Sequence, residues 1–279
     1  DASSQYAVLA FDARGHGTSE GKVGLDGPNE VADTRAVFEW LRDRPDVSDT
    51  QIGAFGISYG GGALLNSLVA GVPWAAAETC ITFSDLQRAL YPQSLAKSGI
   101  IAGFVSSLDL ARVDASVFAA RDAAFKGDTA AVTAFAGPRS SISKLGSVKA
   151  PVYVMQGRRD FAFDLDQGLP EFKALGGPKK LWIGNIGHAV SSFPGPDTAA
   201  MLADGRKWFD RFLLGTRNDV DSGPAVTIAG EGSARTTTMA TVPTTTTTTL
   251  KAAQAKSLPT RTARASWALG AATKAIEVF

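Results

Sequence analysis

The stretch Gln51-Ile52-Gly53-Ala54-Phe55-Gly56-Ile57-Ser58-Tyr59-Gly60-Gly61-Gly62 decides the fold. Residues 51–55 form a short apolar run, and an Ala/Leu-rich helical pattern follows at 63–69. Between them lies a G-x-S-x-G motif. Strand, sharp turn and helix in direct succession make the setting of a nucleophile elbow. Such a turn forces strained backbone angles on the serine, and flanking glycines let neighbouring backbone pass without a Cβ clash. The Ser58 hydroxyl is then presented above the sheet at a helix N-terminus, where the dipole favours developing negative charge. The bland reading is a glycine-rich strand–helix turn with no chemistry.

Outward from this motif, strands and helices alternate. Residues 6–11 (YAVLAF) read as a strand ending in the turn Asp12-Ala13-Arg14-Gly15-His16-Gly17. Continuous apolar runs of this kind suit strands covered on both faces, as in a parallel sheet. Residues 28–41 read as a helix, with Pro28 near its start, Glu30 and Asp33 in the first turn, and Arg42 and Arg44 at its end. Further strands are expected at 75–82, 151–156 and 180–183, and helices at 167–175 and 198–214. Residues 84–145 break the alternation and read as a helical insertion, with 108–126 an amphipathic helix. The fold class is therefore α/β, a doubly wound, mostly parallel sheet. Residues 1–215 make this domain, 216–224 a polar linker, and 225–279 the start of an incomplete all-β segment built on Val226-Thr227-Ile228 and the threonine-rich run at 236–249.

Composition narrows the function. The 279 residues carry 28 Lys+Arg against 27 Asp+Glu, a formal net charge of +1, which gives no global field for nucleic acid or anionic lipid. One cysteine and two histidines leave no Cys-rich or multi-His metal site, so neither a metal nor a cofactor is expected. No apolar run is long enough for a membrane span, and no signal peptide opens the chain. It begins at Asp1 and ends on Ala275-Ile276-Glu277-Val278-Phe279, a strand about to continue. The reading is that both ends were cut from something longer; the alternative is a processed mature chain.

A serine hydroxyl needs a general base. In proteins with such an elbow the chain order is Ser, acid, His. Of the two histidines only His188, in Gly187-His188-Ala189, follows Ser58. His16 precedes it and belongs to a turn in which Asp12 and Arg14 satisfy local hydrogen bonds. The acid expected after the strand at 151–156 is Asp160, in Gly157-Arg158-Arg159-Asp160; Asp164 and Asp166 compete but are placed to cap the next helix. The Tyr59 backbone N–H is the first oxyanion donor. A second normally comes from a loop after an earlier strand, and no such unit precedes Tyr6. Cys80, at the end of a strand, reads as a buried small hydrophobe.

These residues resemble the α/β-hydrolase superfamily, and within it the cocaine esterase / Xaa-Pro dipeptidyl-peptidase (CocE/NonD) family. Residues 6–21 (YAVLAFDARGHGTSEG) and Gly56-Ile57-Ser58-Tyr59-Gly60-Gly61 are fairly specific to that branch; Gly157-Arg158-Arg159-Asp160 and Gly187-His188 are generic to the superfamily. The resemblance covers residues 6–214. It implies a helical cap inserted in the sheet domain, a C-terminal β jelly roll, and a second oxyanion donor from an N-terminal segment missing here, in some members a tyrosine hydroxyl. The expected activity is serine hydrolysis of an acyl bond, an ester first, with a small-molecule ester or short peptide as substrate. The first alternative is a Xaa-Pro peptidase, which needs a cap carboxylate for the substrate amine. Asp109, Asp114 and Asp122 are candidates, each read otherwise as an exposed helix charge. Leu108, Val113, Phe118 and Phe125 either line an acyl pocket or simply pack the cap. A non-catalytic, hydrolase-like binding module is the alternative of another class.

Overall fold

A computed structural model describes residues 6–188 and 193–242. Six strands form one sheet in the order β1 to β6: Gly53–Ile57, Ala76–Cys80, Val152–Gly157, Lys179–Gly184, Val226–Ala229 and Thr236–Met239. The first five run parallel and β6 is antiparallel to β5. Every residue of β2 and β3 is buried, as a parallel sheet covered on both faces requires.

Alternation along the strands shows which helix covers which face. A Cβ on Gly53 of β1 would meet Phe209 and Leu213 of helix α8 (Thr198–Leu213), while one on Gly56 would overlap the backbone of α2 (Tyr59–Val69). In β3, Met155 lies against Gly205 of α8, and Gln156 against Gly168 of α7 (Leu165–Ala174). Helix α8 therefore covers one face, and α2 and α7 the other. Helix α1 (Pro28–Arg42) packs on α2, with Phe38 edge-on to Trp74 at 4.9 Å. The core under α8 joins Tyr153, Met155, Trp182, Met201 and Trp208, all nearly inaccessible to solvent. Burying side chains of this size is worth about 1.5–3 kcal/mol each before entropy is counted.

Between β2 and β3 the chain is helical throughout: α3 (Leu86–Leu90), α4 (Ser98–Ser106), α5 (Ala115–Lys126), α6 (Thr129–Ala136) and short 3₁₀ turns. This is the expected insertion. Its helices share small apolar clusters, one of Tyr91, Ile101, Ala124 and Val132, another of Val23, Val113 and Val117 with Leu108 and Phe118 packed on it. Residues 108–126 are not one helix: Asp109 caps a 3₁₀ turn at Leu110–Arg112, and Asp114 starts α5 afresh.

Two further expectations differ from the structure. Residues 6–11 form no strand; a strand needs a neighbouring backbone to pair with, and the described residues offer none there, with Val8 88% exposed. Residues 225–239 do not start a separate β domain either. Strand β5 pairs in parallel with β4, Leu181 opposite Val226, so α8 and residues 216–224 make a β-α-β crossover within the same sheet. The connection is packed rather than loose: Val220 is buried, and Arg211 binds Asp221 at 2.8 Å. Short strands rich in Val, Ile and Thr suit either setting, and pairing decides between them. The remainder of the threonine run and residues 243–279 lie outside the described residues.

Candidate active site

Strand β1 ends at Ile57, and Ser58 takes φ 52° and ψ −118°, a conformation a residue with a Cβ adopts only when its surroundings enforce it. Those surroundings are visible. The Ser58 N–H donates to the Cys80 carbonyl at 2.9 Å, and the Thr82 hydroxyl donates to the Ser58 carbonyl at 2.6 Å. A Cβ on Gly56 would overlap the Gly60 carbonyl, and one on Gly61 would sit 2.5 Å from Thr82 Cβ. At Gly60, the motif's second glycine, a Cβ would meet nothing within 4 Å. The steric demand thus falls on Gly56 and Gly61 rather than on Gly60. Tyr59 begins α2, so its N–H is among those with no intrahelical acceptor.

The structure brings Ser58, His188 and Asp160 together from three strand ends. Ser58 Oγ lies 2.7 Å from His188 Nε2. His188 Nδ1 lies 2.9 and 2.8 Å from the two Asp160 oxygens. Asp160 is 3% exposed, and its Oδ1 also accepts the backbone N–H groups of Ala162 at 2.8 Å and Phe163 at 3.1 Å. A buried carboxylate with three donors is held in one orientation and compensated for lost hydration. Gly157 makes the convergence possible, because a Cβ there would overlap the Ile186 carbonyl of the histidine loop. Asp197, fully buried, holds that loop: it accepts from Trp182 Nε1 at 2.8 Å and from the Asn185 backbone and side chain at 3.0 Å each.

The competing residues have other partners. His16 Nδ1 faces the Arg14 carbonyl at 3.1 Å, within the turn that Asp12 closes through Thr18. Asp164 caps α7 at the Asp166 N–H, and Asp166 pairs with Arg88 at 3.0 Å. Among the cap acids, Asp109 and Asp114 cap their own helical turns and Asp122 pairs with Arg121. Cys80 is 1% exposed, and burial pushes its thiol up to about 12, far from a reactive thiolate.

One feature of the site went unread in the sequence. Three phenylalanines ring His188: Phe163 at 5.2 Å between ring centroids, Phe161 at 6.2 Å and Phe104 of α4 at 6.4 Å. Phe161 is 42% exposed, so this wall is open to an entering molecule. Its signal was the Phe-Ala-Phe directly after Asp160; Phe104 is far in sequence and had none. By contrast, a cavity of about 390 Å³ lined by Leu9, Phe11, Ala36, Val37 and Trp40 touches none of the three central residues.

Set beside known proteins, residues 2–190 match the family model of the X-Pro dipeptidyl-peptidase (S15 family). The chain belongs to that family. A putative Xaa-Pro dipeptidyl-peptidase of Bacillus anthracis is 25% identical over 254 residues, covering 81% of this chain and 41% of the relative. The chain thus spans about two fifths of the length of the curated relatives it matches. Among solved structures, a CocE/NonD family hydrolase from Staphylococcus aureus superposes with a TM-score of 0.63 at 18% identity, covering 77% of this chain and 38% of that one. An esterase from Pyrococcus furiosus gives 0.51 at 21% identity, covering 75% of this chain and 71% of that one. These likenesses establish the α/β-hydrolase fold. Among the described residues, no helix is long and apolar enough to cross a membrane.

Proposed function

We propose that this protein is a serine hydrolase that cleaves an acyl bond, a carboxylic ester first, through Ser58, His188 and Asp160. The observation that carries the reading is the unbroken hydrogen-bond line from Ser58 Oγ through the His188 ring to Asp160. His188 Nε2 takes the Ser58 proton as the hydroxyl attacks the acyl carbonyl, then returns it to the leaving group. Asp160 keeps the proton of the neutral ring on Nδ1 and stabilises the imidazolium formed on attack. The Tyr59 N–H stabilises the oxyanion; one such donor is worth about 10²–10³ in rate. An acyl-enzyme forms on Ser58 and water releases it. The exposed Phe161 and its neighbours around His188 give the acyl or leaving group an apolar wall, which suits a neutral small substrate.

A second reading, removal of an Xaa-Pro dipeptide, is favoured by the family match and by the curated relatives' names. It requires a carboxylate free to hold the substrate's amine. The acids the sequence nominated in the cap are engaged in capping or pairing. The intact protein tested on p-nitrophenyl acetate and butyrate beside an Xaa-Pro-p-nitroanilide separates the two. The first reading expects ester turnover with the anilide far slower; efficient anilide turnover with weak ester hydrolysis replaces it with the second.

A further inference from the structure

Asp26 plays no part in the chemistry above, yet it sits directly against the helix that carries the nucleophile. It is completely buried, and neither carboxyl oxygen has a hydrogen-bond partner among the described residues. Its backbone is tied to α2 at two points. The Asp26 N–H donates to the Tyr59 hydroxyl at 3.3 Å, and the Asp26 carbonyl accepts from Asn66 Nδ2 at 3.0 Å. Its side chain meets α2 at a third, because a Cβ on Gly62 would overlap Asp26 Oδ2. Tyr59, Gly62 and Asn66 are spaced i, i+3, i+7 and so form one face of the helix. Leu25 and Asp26 both take positive φ, 60° and 57°, so the chain bends sharply to deliver this side chain to that face.

The charged groups around Asp26 are Glu30 of α1 and Arg139 beyond α6, with the Tyr59 phenol on α2. Burial, then the Glu30 charge, hold the Asp26 carboxyl well above the usual carboxylate range, with Arg139 opposing. A neutral carboxyl group is what an unpaired site can hold, since an isolated buried charge costs several kcal/mol. Asparagine, neutral, of the same shape and tolerant of positive φ, is therefore a fair replica, whereas glycine keeps the backbone and removes the side chain.

We propose that Asp26 is a positioning residue for the acyl transfer: its side chain, wedged against Gly62 between its backbone bonds to Tyr59 and Asn66, fixes the first turns of α2, and with them Ser58 and the Tyr59 N–H. This rests on the serine hydrolase reading. The side chain touches no reacting atom. It acts by setting where the nucleophile and oxyanion donor stand, and small displacements of such groups cost up to about 10²-fold in rate.

The test is kcat and KM for p-nitrophenyl acetate in the intact protein, per Ser58 titrated with a fluorophosphonate, for wild type, Asp26→Asn and Asp26→Gly. The asparagine variant is expected within about threefold of wild type; the glycine variant is expected to lose about 10–100-fold in kcat with KM changed less than about threefold, while still labelling to completion, more slowly. Equal kcat per titrated site in the glycine variant overturns the proposal, as does an equal loss in the asparagine variant. If the glycine variant does not fold, Tyr59→Phe, which removes only the hydroxyl that Asp26 N–H binds, decides: a fall in kcat of about threefold or more at constant KM supports the proposal, and no change overturns it. Failure of the wild type to label at Ser58 is a different result, and it removes the hydrolase reading itself.

Discussion

Replacing Asp160 by asparagine tests the arrangement most finely, because the structure dictates how the new side chain must sit. Oδ1 of Asp160 accepts two backbone N–H groups, from Ala162 at 2.8 Å and Phe163 at 3.1 Å. An asparagine keeps its carbonyl oxygen there, since its amide cannot accept them. The amide nitrogen then falls where Oδ2 stood, 2.8 Å from His188 Nδ1. It is a donor, and Oδ1, 2.9 Å from Nδ1, is already engaged by the two backbone N–H groups, so the neutral ring favours a bare Nδ1 facing the amide and a proton on Nε2. That nitrogen lies 2.7 Å from Ser58 Oγ and can no longer accept the hydroxyl proton. The fold keeps both backbone bonds, so stability changes little while the ring is locked in the wrong tautomer. A tautomer fault of this kind costs about 10⁴ in kcat, or about 5 kcal/mol. The assay is p-nitrophenyl butyrate hydrolysis beside thermal melting. A variant within about tenfold of wild type, with unchanged melting, refutes the assigned role of Asp160.

Gly56→Ala should destabilise the protein by about 1–3 kcal/mol in urea unfolding, because the new methyl overlaps the Gly60 carbonyl; Gly60→Ala, which meets nothing nearby, should cost far less. Glu171 is buried, with Thr79 donating to it at 2.6 Å, and burial pushes its carboxyl from 4.5 up to about 7. The native state therefore holds a proton that the unfolded chain releases, so stability present below pH 4.5 is lost as pH rises through about 7, by roughly 3 kcal/mol. Urea unfolding at pH 4.5 and 7.5 should show at least that loss in the wild type, and Glu171→Gln should shrink it by about that amount, leaving the part contributed by Glu78 and Asp26, which burial also holds above the carboxylate range. Asp197→Ala strands the indole N–H of Trp182 and the Asn185 backbone N–H on the histidine loop, while the Asn185 amide keeps the Gly230 and Ser233 carbonyls. It should cost about 1–3 kcal/mol per buried donor left unpaired, and kcat should fall further than the unfolded fraction explains.

The sequence announced the fold at its local signals and missed it where pairing decides. Residues 51–62 showed strand, elbow and helix because each follows from steric rules on a few neighbouring residues, and the structure has β1, Ser58 at positive φ and α2 in that order. Asp160 and His188 were legible from chain order, and the structure brings both to Ser58. The tract at 6–11 and the strands after 225 were harder for one shared reason. Apolar and β-branched residues mark a willingness to be a strand, while the partner backbone lies elsewhere in the chain. Val226-Thr227-Ile228 was read as strand correctly but assigned to another domain, because nothing local says that Leu181 will stand opposite Val226. The same limit hid Phe104, which reaches His188 from α4, and Asp26, whose burial against Gly62 depends on how the loop before α1 meets α2. Gly60 shows the converse: the motif marks it, and packing does not require it.

The central claim is that Ser58 is a nucleophile activated by His188. Treating the intact protein with a fluorophosphonate and mapping the adduct by peptide mass spectrometry tests it directly. The account predicts one adduct, on the peptide containing Ser58, absent in Ser58→Ala and slowed by about 10⁴ or more in His188→Ala. An unlabelled Ser58 in folded protein, or labelling whose rate does not depend on His188, would contradict it.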